Sequence, residues 1–166
     1  MSDNKSVPSD TETRATAQDH QALRLWLRML ACTNLIERNI RSRLRNRFDT
    51  TLPRFDLMAQ LERSPDGLKM GELSKRMMVT GGNVTGITDQ LVKEGLVVRE
   101  ENPGDRRAYI VKLTPEGREV FAKMAIDHEK WIIEFFAGMK DGERQQLFTL
   151  LATLKSHVAA APRADI

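Results

Sequence analysis

Cysteine is almost absent: Cys32 is the one thiol in 166 residues. That excludes an intrachain disulfide framework and suits a reducing compartment. Aromatic residues make up 5% of the chain. No apolar run approaches the ~18 residues a membrane helix needs, so no membrane partner is expected. The first nineteen residues are polar, without the apolar stretch of a secretory signal, and a cytoplasmic protein is expected. Charge of one sign is lacking too. The 26 Lys and Arg stand against 23 Asp and Glu, a formal net charge of +3, which is too small for a polycationic nucleic-acid coat. His20, His128 and His157 are scattered, with no partner at metal-ligand spacing. Gly81-Gly82 lacks the Gly-Lys-Ser/Thr ending of a phosphate-cradling loop. No catalytic residue, metal or cofactor is therefore expected, and the chain is not read as an enzyme.

What is present centres on Lys69 to Gly117. Met70 to Met77 reads as a short helix with Leu73 and Met77 on one side. Val79 and Thr80 form a link, and Thr80 suits the N-cap of a second helix that ends near Glu94, with Gly95 as its stop. Val84, Ile87 and Leu91 make one buried stripe there. The other side carries Gly82, Asn83, Thr85, Gly86, Asp89, Gln90 and Lys93. Such a slim, hydrogen-bonding face on the second of two short helices has the shape that enters a DNA major groove. Leu96 to Glu101 and Ala108 to Leu113 are strand-like, with Asn102-Pro103-Gly104-Asp105 as turn chemistry between them. Arg106 and Arg107, just past that turn, suit phosphate contacts or a narrow minor groove.

The flanks are helical. Met1 to Asp19 reads as a disordered tail, and a long helix runs from His20 to about Phe48. Leu52-Pro53 opens the next helix, which Ser64-Pro65-Asp66-Gly67 ends. Arg38, Arg41, Arg43, Arg45, Arg47 and Arg54 face a single acid, Asp49, over that stretch. This is either a solvated helix surface or a site for an anionic partner. Thr114 caps a helix from Pro115 to about Phe136, and a last helix runs from Glu143 to about Val158. Residues 20–52 and 115–158 are assigned to homodimerisation and 53–114 to DNA binding, with 159–166 as a frayed tail. Cys32, among Leu30, Leu35 and Ile36, is expected to be a packed, inert thiol.

The run from Asp105 through Arg107 to Leu113-Thr114-Pro115-Glu116-Gly117 matches the D-x-R-x-x-x-(V/L)-x-L-T-x-x-G signature of the MarR family of bacterial transcription regulators. Lys93-Glu94-Gly95-Leu96-Val97 resembles that family's recognition-helix exit, and the resemblance covers roughly Leu23 to Val158. It implies a mainly α fold with a small β-hairpin wing, built as a winged helix-turn-helix with terminal dimerisation helices. It also implies a homodimeric repressor of a palindromic double-stranded operator, released by a small-molecule effector. Gly86 departs from the pattern, since the family often has Arg there, so an Arg-to-guanine contact does not carry over. The Arg-rich first helix, Leu52-Pro53-Arg54-Phe55-Asp56 and Val79 to Gly86 resemble the family's repressors of aromatic-acid catabolism, including those released by hydroxycinnamoyl-CoA thioesters. On that resemblance Trp26, Phe48, Phe55 and Met58 line an aryl slot, with Arg38, Arg41, Arg43, Arg47 and Arg54 at its mouth. The effector is then an aromatic acid or its CoA thioester. Two alternatives stand beside this reading: a helical carrier or enzyme acting on an anionic acyl ligand, and a redox-sensing repressor using Cys32.

Overall fold

The structure, a computed structural model, describes residues 21–77, 81–102 and 105–160, with 105–108 as backbone only. The expected tail at 1–19, Thr80, the turn residues Pro103 and Gly104, and 161–166 lie outside the described residues. In chain order the elements are α1 (Gln21–Phe48), α2 (Leu52–Glu62), β1 (Leu68–Lys69), α3 (Met70–Met77), α4 (Gly81–Lys93), β2 (Val97–Asn102), β3 (Asp105–Leu113), α5 (Pro115–Phe136) and α6 (Asp141–Ala160). The fold is mainly helical with a small antiparallel sheet of order β1-β3-β2. The described chain falls into two compact units, one up to Met124 and the other from Ala125.

In the first unit, α1 stops where its last turn closes by Asp49 N–H donating to the Arg45 carbonyl. Asp49 takes φ +47°, the left-handed region in which Asp is one of the few tolerated side chains. The chain then turns through buried Thr50 into α2, with Pro53 in its first turn. Leu57, Met58 and Leu61 from α2 meet Leu73, Val84, Leu91, Val97 and Val111 as fully buried core. Together they close one apolar interior beneath α3 and α4, which is the main stabilising term for so small a body. Phe55 adds a tilted ring contact with Phe121 of α5, centroids 5.4 Å apart.

The sheet corrects the expectation at three places. Strand β1 does not announce itself in the sequence, because two residues carry no alternation to detect; it pairs Leu68 with Val111 and Lys69 with Ile110. Gly67 makes the pairing possible. Its φ is +87°, and a Cβ there would stand 2.3 Å from the Ile110 side chain and 2.8 Å from the Val111 carbonyl. The hairpin strands also begin and end differently from the expected bounds. β2 starts at Val97 rather than Leu96, and β3 starts at Asp105, so Arg106 and Arg107 belong to the strand itself.

In the second unit, α6 opens at Asp141, two residues before the expected Glu143, and continues through Ala159 and Ala160, which were expected to fray. The early start has a cause. The Lys140 N–H donates to Glu143 Oε2 at 2.8 Å, and Arg144 Nη1 donates to the Met139 carbonyl at 2.7 Å. Acidic Asp141 and Glu143 in the first turn also suit the positive end of the helix.

Candidate nucleic-acid interface

Helix α4 is two-sided. Val84, Ile87 and Leu91 are buried as the spacing requires, joined by Thr88, whose hydroxyl donates to the Val84 carbonyl at 2.8 Å and so needs no other partner. On the other side Gly82, Asn83, Thr85, Gly86, Asp89 and Gln90 are all exposed. A Cβ added at Gly82 or Gly86 would meet nothing within 4 Å, so the face is slim and unobstructed. Thr85 donates its hydroxyl to the Gly81 carbonyl at 2.9 Å and is exposed, and a donating hydroxyl can still accept through its oxygen. These residues present donors, acceptors and one methyl on a surface narrow enough for a groove.

The helix is held in place from its exit. Gly95 takes φ +74° and ends α4. Thr114 then acts twice: its hydroxyl donates to the Gly95 carbonyl at 2.7 Å and accepts the Gly117 N–H at 2.9 Å, capping α5. Gly117 must be glycine, because a Cβ would lie 1.9 Å from the Leu96 carbonyl oxygen. The Leu-Thr-x-x-Gly run is thus a clamp on the exit of α4, which gives that motif a mechanical reason.

Two acids of α4 and its exit are committed to arginines. Asp89 meets Arg99 of β2 at 2.6 Å, tying the helix to the hairpin, so its carboxylate is shared rather than held free for a base. Glu94 pairs with Arg54 of α2. Sequence reasoning missed both ties. The available signs were an arginine directly after the two valines that open β2 and an acid just before the helix-stopping glycine. On the hairpin Lys112 pairs across strands with Glu100 at 2.7 Å. Arg106 and Arg107 lie in β3, and their side chains are outside the described residues.

The expected effector residues are not all brought together. Trp26 is 55% exposed and precedes Phe48 by 22 residues of one helix, a rise of about 33 Å, so one protomer does not place both in one slot. Phe55 and Met58 are buried in the core, and Arg54 is engaged by Glu94. The remaining arginines divide by helical angle. Ile40 and Leu44 are the buried side of α1; at about 100° per residue, Arg38 points away from that side with Arg41 on its near edge, while Arg43 and Arg47 lie along the opposite edge. Arg41 pairs with Glu37 at 3.0 Å, and Arg47 stands 5.9 Å over the Phe48 ring. Nearby, Asp56 has its carboxyl pushed above the usual range, first by desolvation and then by Glu37. Cys32, expected to be packed, is exposed. Its neighbours Leu30 and Leu35 are exposed as well, so this stretch of α1 has no covering element among the described residues.

Two short helices, the second presenting a slim polar face, followed at once by an antiparallel hairpin, define a winged helix-turn-helix. The MarR family model matches residues 48–108. A MarR family transcriptional regulator from Silicibacter pomeroyi is 31% identical, covering 88% of this chain and 99% of that one, with a TM-score of 0.71. The chain belongs to the MarR family, a family of transcription regulators and not of enzymes. Among curated relatives, the Bacillus subtilis helix-turn-helix-type regulator YkoM is 34% identical over 89 residues, 54% of this chain. A putative transcriptional regulatory protein for the hcr operon of Thauera aromatica is 30% identical over 105 residues, 63% of this chain. The matched stretches span 58% and 63% of those two relatives' lengths, under two thirds of each.

Proposed function

We propose that this protein is a homodimeric repressor that binds a palindromic DNA operator through α4 and the β2–β3 wing and is released by a small aromatic anion. The observation that carries the DNA reading is the exposed face of α4. Its buried stripe is consumed by the core, and its polar side is neither covered nor bulky. Asn83, Thr85 and Gln90 are the base readers in this reading, with Gly82 and Gly86 allowing close approach. Thr80, Arg106 and Arg107 serve phosphate or minor-groove contacts. Two reading heads related by a two-fold axis would face successive major grooves. Such a regulator works beside its operator in the cytoplasm.

Dimerisation is supported by apolar surface left open on α1 and α6. Leu23, Trp26, Leu30, Phe148 and Leu151 are exposed, and α6 buries no residue. For the effector, the division of the α1 arginines favours a ligand with one compact anion at Arg43 and Arg47 beside Phe48. That is an aromatic carboxylate more readily than a CoA thioester, which would need cations from both sides of the helix. Release follows if the ligand binds tighter to a dimer whose recognition helices are mis-spaced.

Selection of purified protein on random duplexes, followed by sequencing, tests the DNA reading. The expected outcome is an inverted repeat with half-site centres about 10 bp apart. Enrichment of no sequence would leave a helical carrier of an anionic acyl ligand as the better account. Calorimetry with an aryl carboxylate, its CoA thioester and CoA alone tests the effector. Binding of CoA alone as tightly as the aryl compounds would remove the aromatic reading. Peroxide-triggered release that vanishes in Cys32→Ala would make Cys32 a redox switch instead.

A further inference from the structure

The pair between Arg54 and Glu94 joins elements forty positions apart in the chain, and each partner sits where its own helix disfavours it. Arg54 is a cation in the first turn of α2, the positive end of that helix. Glu94 is an anion directly after the last residue of α4, at the negative end. Neither placement helps its own helix, and the two offset one another only when the start of α2 meets the exit of α4. A charge that breaks a local rule and is compensated at long range marks a constraint on tertiary geometry. Arg54 is also largely withdrawn from water, 17% exposed against 44% for Glu94. Its Nε is buried and has no acceptor among the described residues, and the guanidinium reaches Glu94 end-on through Nη2. An end-on pair at the pivot of a helix can be made and broken more readily than a bidentate fork.

The placement also matters. Arg54 stands four residues after buried Thr50, at the turn where α1 passes into α2. Glu94 precedes Gly95, whose carbonyl the Thr114 clamp holds. The exit of α4 is therefore fixed on one side by α5's cap and on the other by α2. The capped side rests on the Thr114 hydroxyl and backbone N–H, and on the α2 side this ion pair is the polar tie that supplements the shared apolar core.

We propose that Arg54 is a positioning residue that sets the angle of the recognition helix through Glu94, so that the pair acts as a latch between the α1–α2 turn and the DNA-reading face. This deepens the DNA reading and rests on it for its consequence, while the latch itself is a property of the free protein.

Removing either charge separates the latch from long-range electrostatics, because the two substitutions change net charge in opposite directions. Charge alone would make Arg54→Gln weaken binding to any duplex and Glu94→Gln strengthen it. The latch makes both lower the preference for the selected operator over a scrambled duplex, by about ten-fold each. The double substitution R54Q/E94Q is then no worse than either single one. The exchanged pair R54E/E94R restores the preference to within about three-fold, and it melts no lower than the wild-type protein because both charges now suit their helix ends. Amide hydrogen exchange, followed on the full chain without DNA, reads the latch directly. Residues 90–96 exchange several-fold faster in both single variants and return to the wild-type rate in the exchanged pair. Unchanged exchange in the single variants overturns the proposal, as does tighter operator binding by Glu94→Gln. If the wild-type protein selects no palindrome, the DNA reading fails, and the exchange rates still decide the latch.

Discussion

Helices α4 and α6 both carry apolar residues at helical spacing, and the two stripes have opposite fates. In α4, Val84 and Leu91 are fully buried and Ile87 nearly so. In α6, Leu147, Leu150 and Leu151 remain open, and Phe148 is 71% exposed. The first stripe is satisfied inside its own unit, which leaves the polar side of the helix as its working face. The second stripe has no cover among the described residues, and in the proposed dimer the apolar side itself is the binding face, with a second copy as its cover. The same periodicity thus marks a core contact in one helix and, under the proposed dimer, an interface in the other, and only burial distinguishes them.

The largest expected effect breaks this comparison at α4. Leu91→Ala should cost about 2–5 kcal/mol of folding stability, since it removes a fully buried side chain from a closed core. Leu151→Ala in α6 should cost about 0.5 kcal/mol or less under dilute, monomeric conditions. Denaturant midpoints compare the two, and equal costs would show that α6 packs within the chain. Next comes Gly117→Ala, at about 1–3 kcal/mol, because its methyl group must displace the Leu96 carbonyl. That variant should also lose operator affinity, measured by anisotropy, as the exit of α4 shifts.

Phe148→Asp sharpens the other side of the comparison. It should leave the unfolding transition of the first unit nearly unchanged while abolishing self-association in sedimentation equilibrium. A variant that remains dimeric would move the interface off α6.

The smallest effect is a pH slope in the second unit. Burial holds the His128 imidazole below its ordinary value, because desolvation penalises the cation. The unfolded chain then binds the proton more readily. Stability is fully present above about pH 6.5 and declines as pH falls from there towards the folded value. His128→Gln should flatten that slope in urea midpoints taken between about pH 5 and pH 8.

The legible parts of the sequence were those with long, regular patterns. The bounds of α3 and α5 follow from apolar spacing and from the Thr114-Pro115 start, and the α4 stripe follows from Val84, Ile87 and Leu91. Three kinds of feature were not legible. Strand β1 is too short to carry a period. The ties of Arg54 to Glu94 and Arg99 to Asp89 link distant positions that no local rule connects. Cys32 looked packed because its neighbours are apolar, yet apolar neighbours imply burial only where another element covers them, and along that part of α1 none among the described residues does.

The central claim is that the open face of α4 reads bases. Base preference at each operator position, measured for the wild-type protein and for Asn83→Ala, Thr85→Ala and Gln90→Ala, tests it most directly. Each substitution should flatten the preference at one position and at its symmetry mate in the other half-site, by about 1–3 kcal/mol, while phosphate-driven binding to scrambled duplex stays the same. Preference profiles identical to wild type in all three variants would contradict the claim and move recognition off this helix.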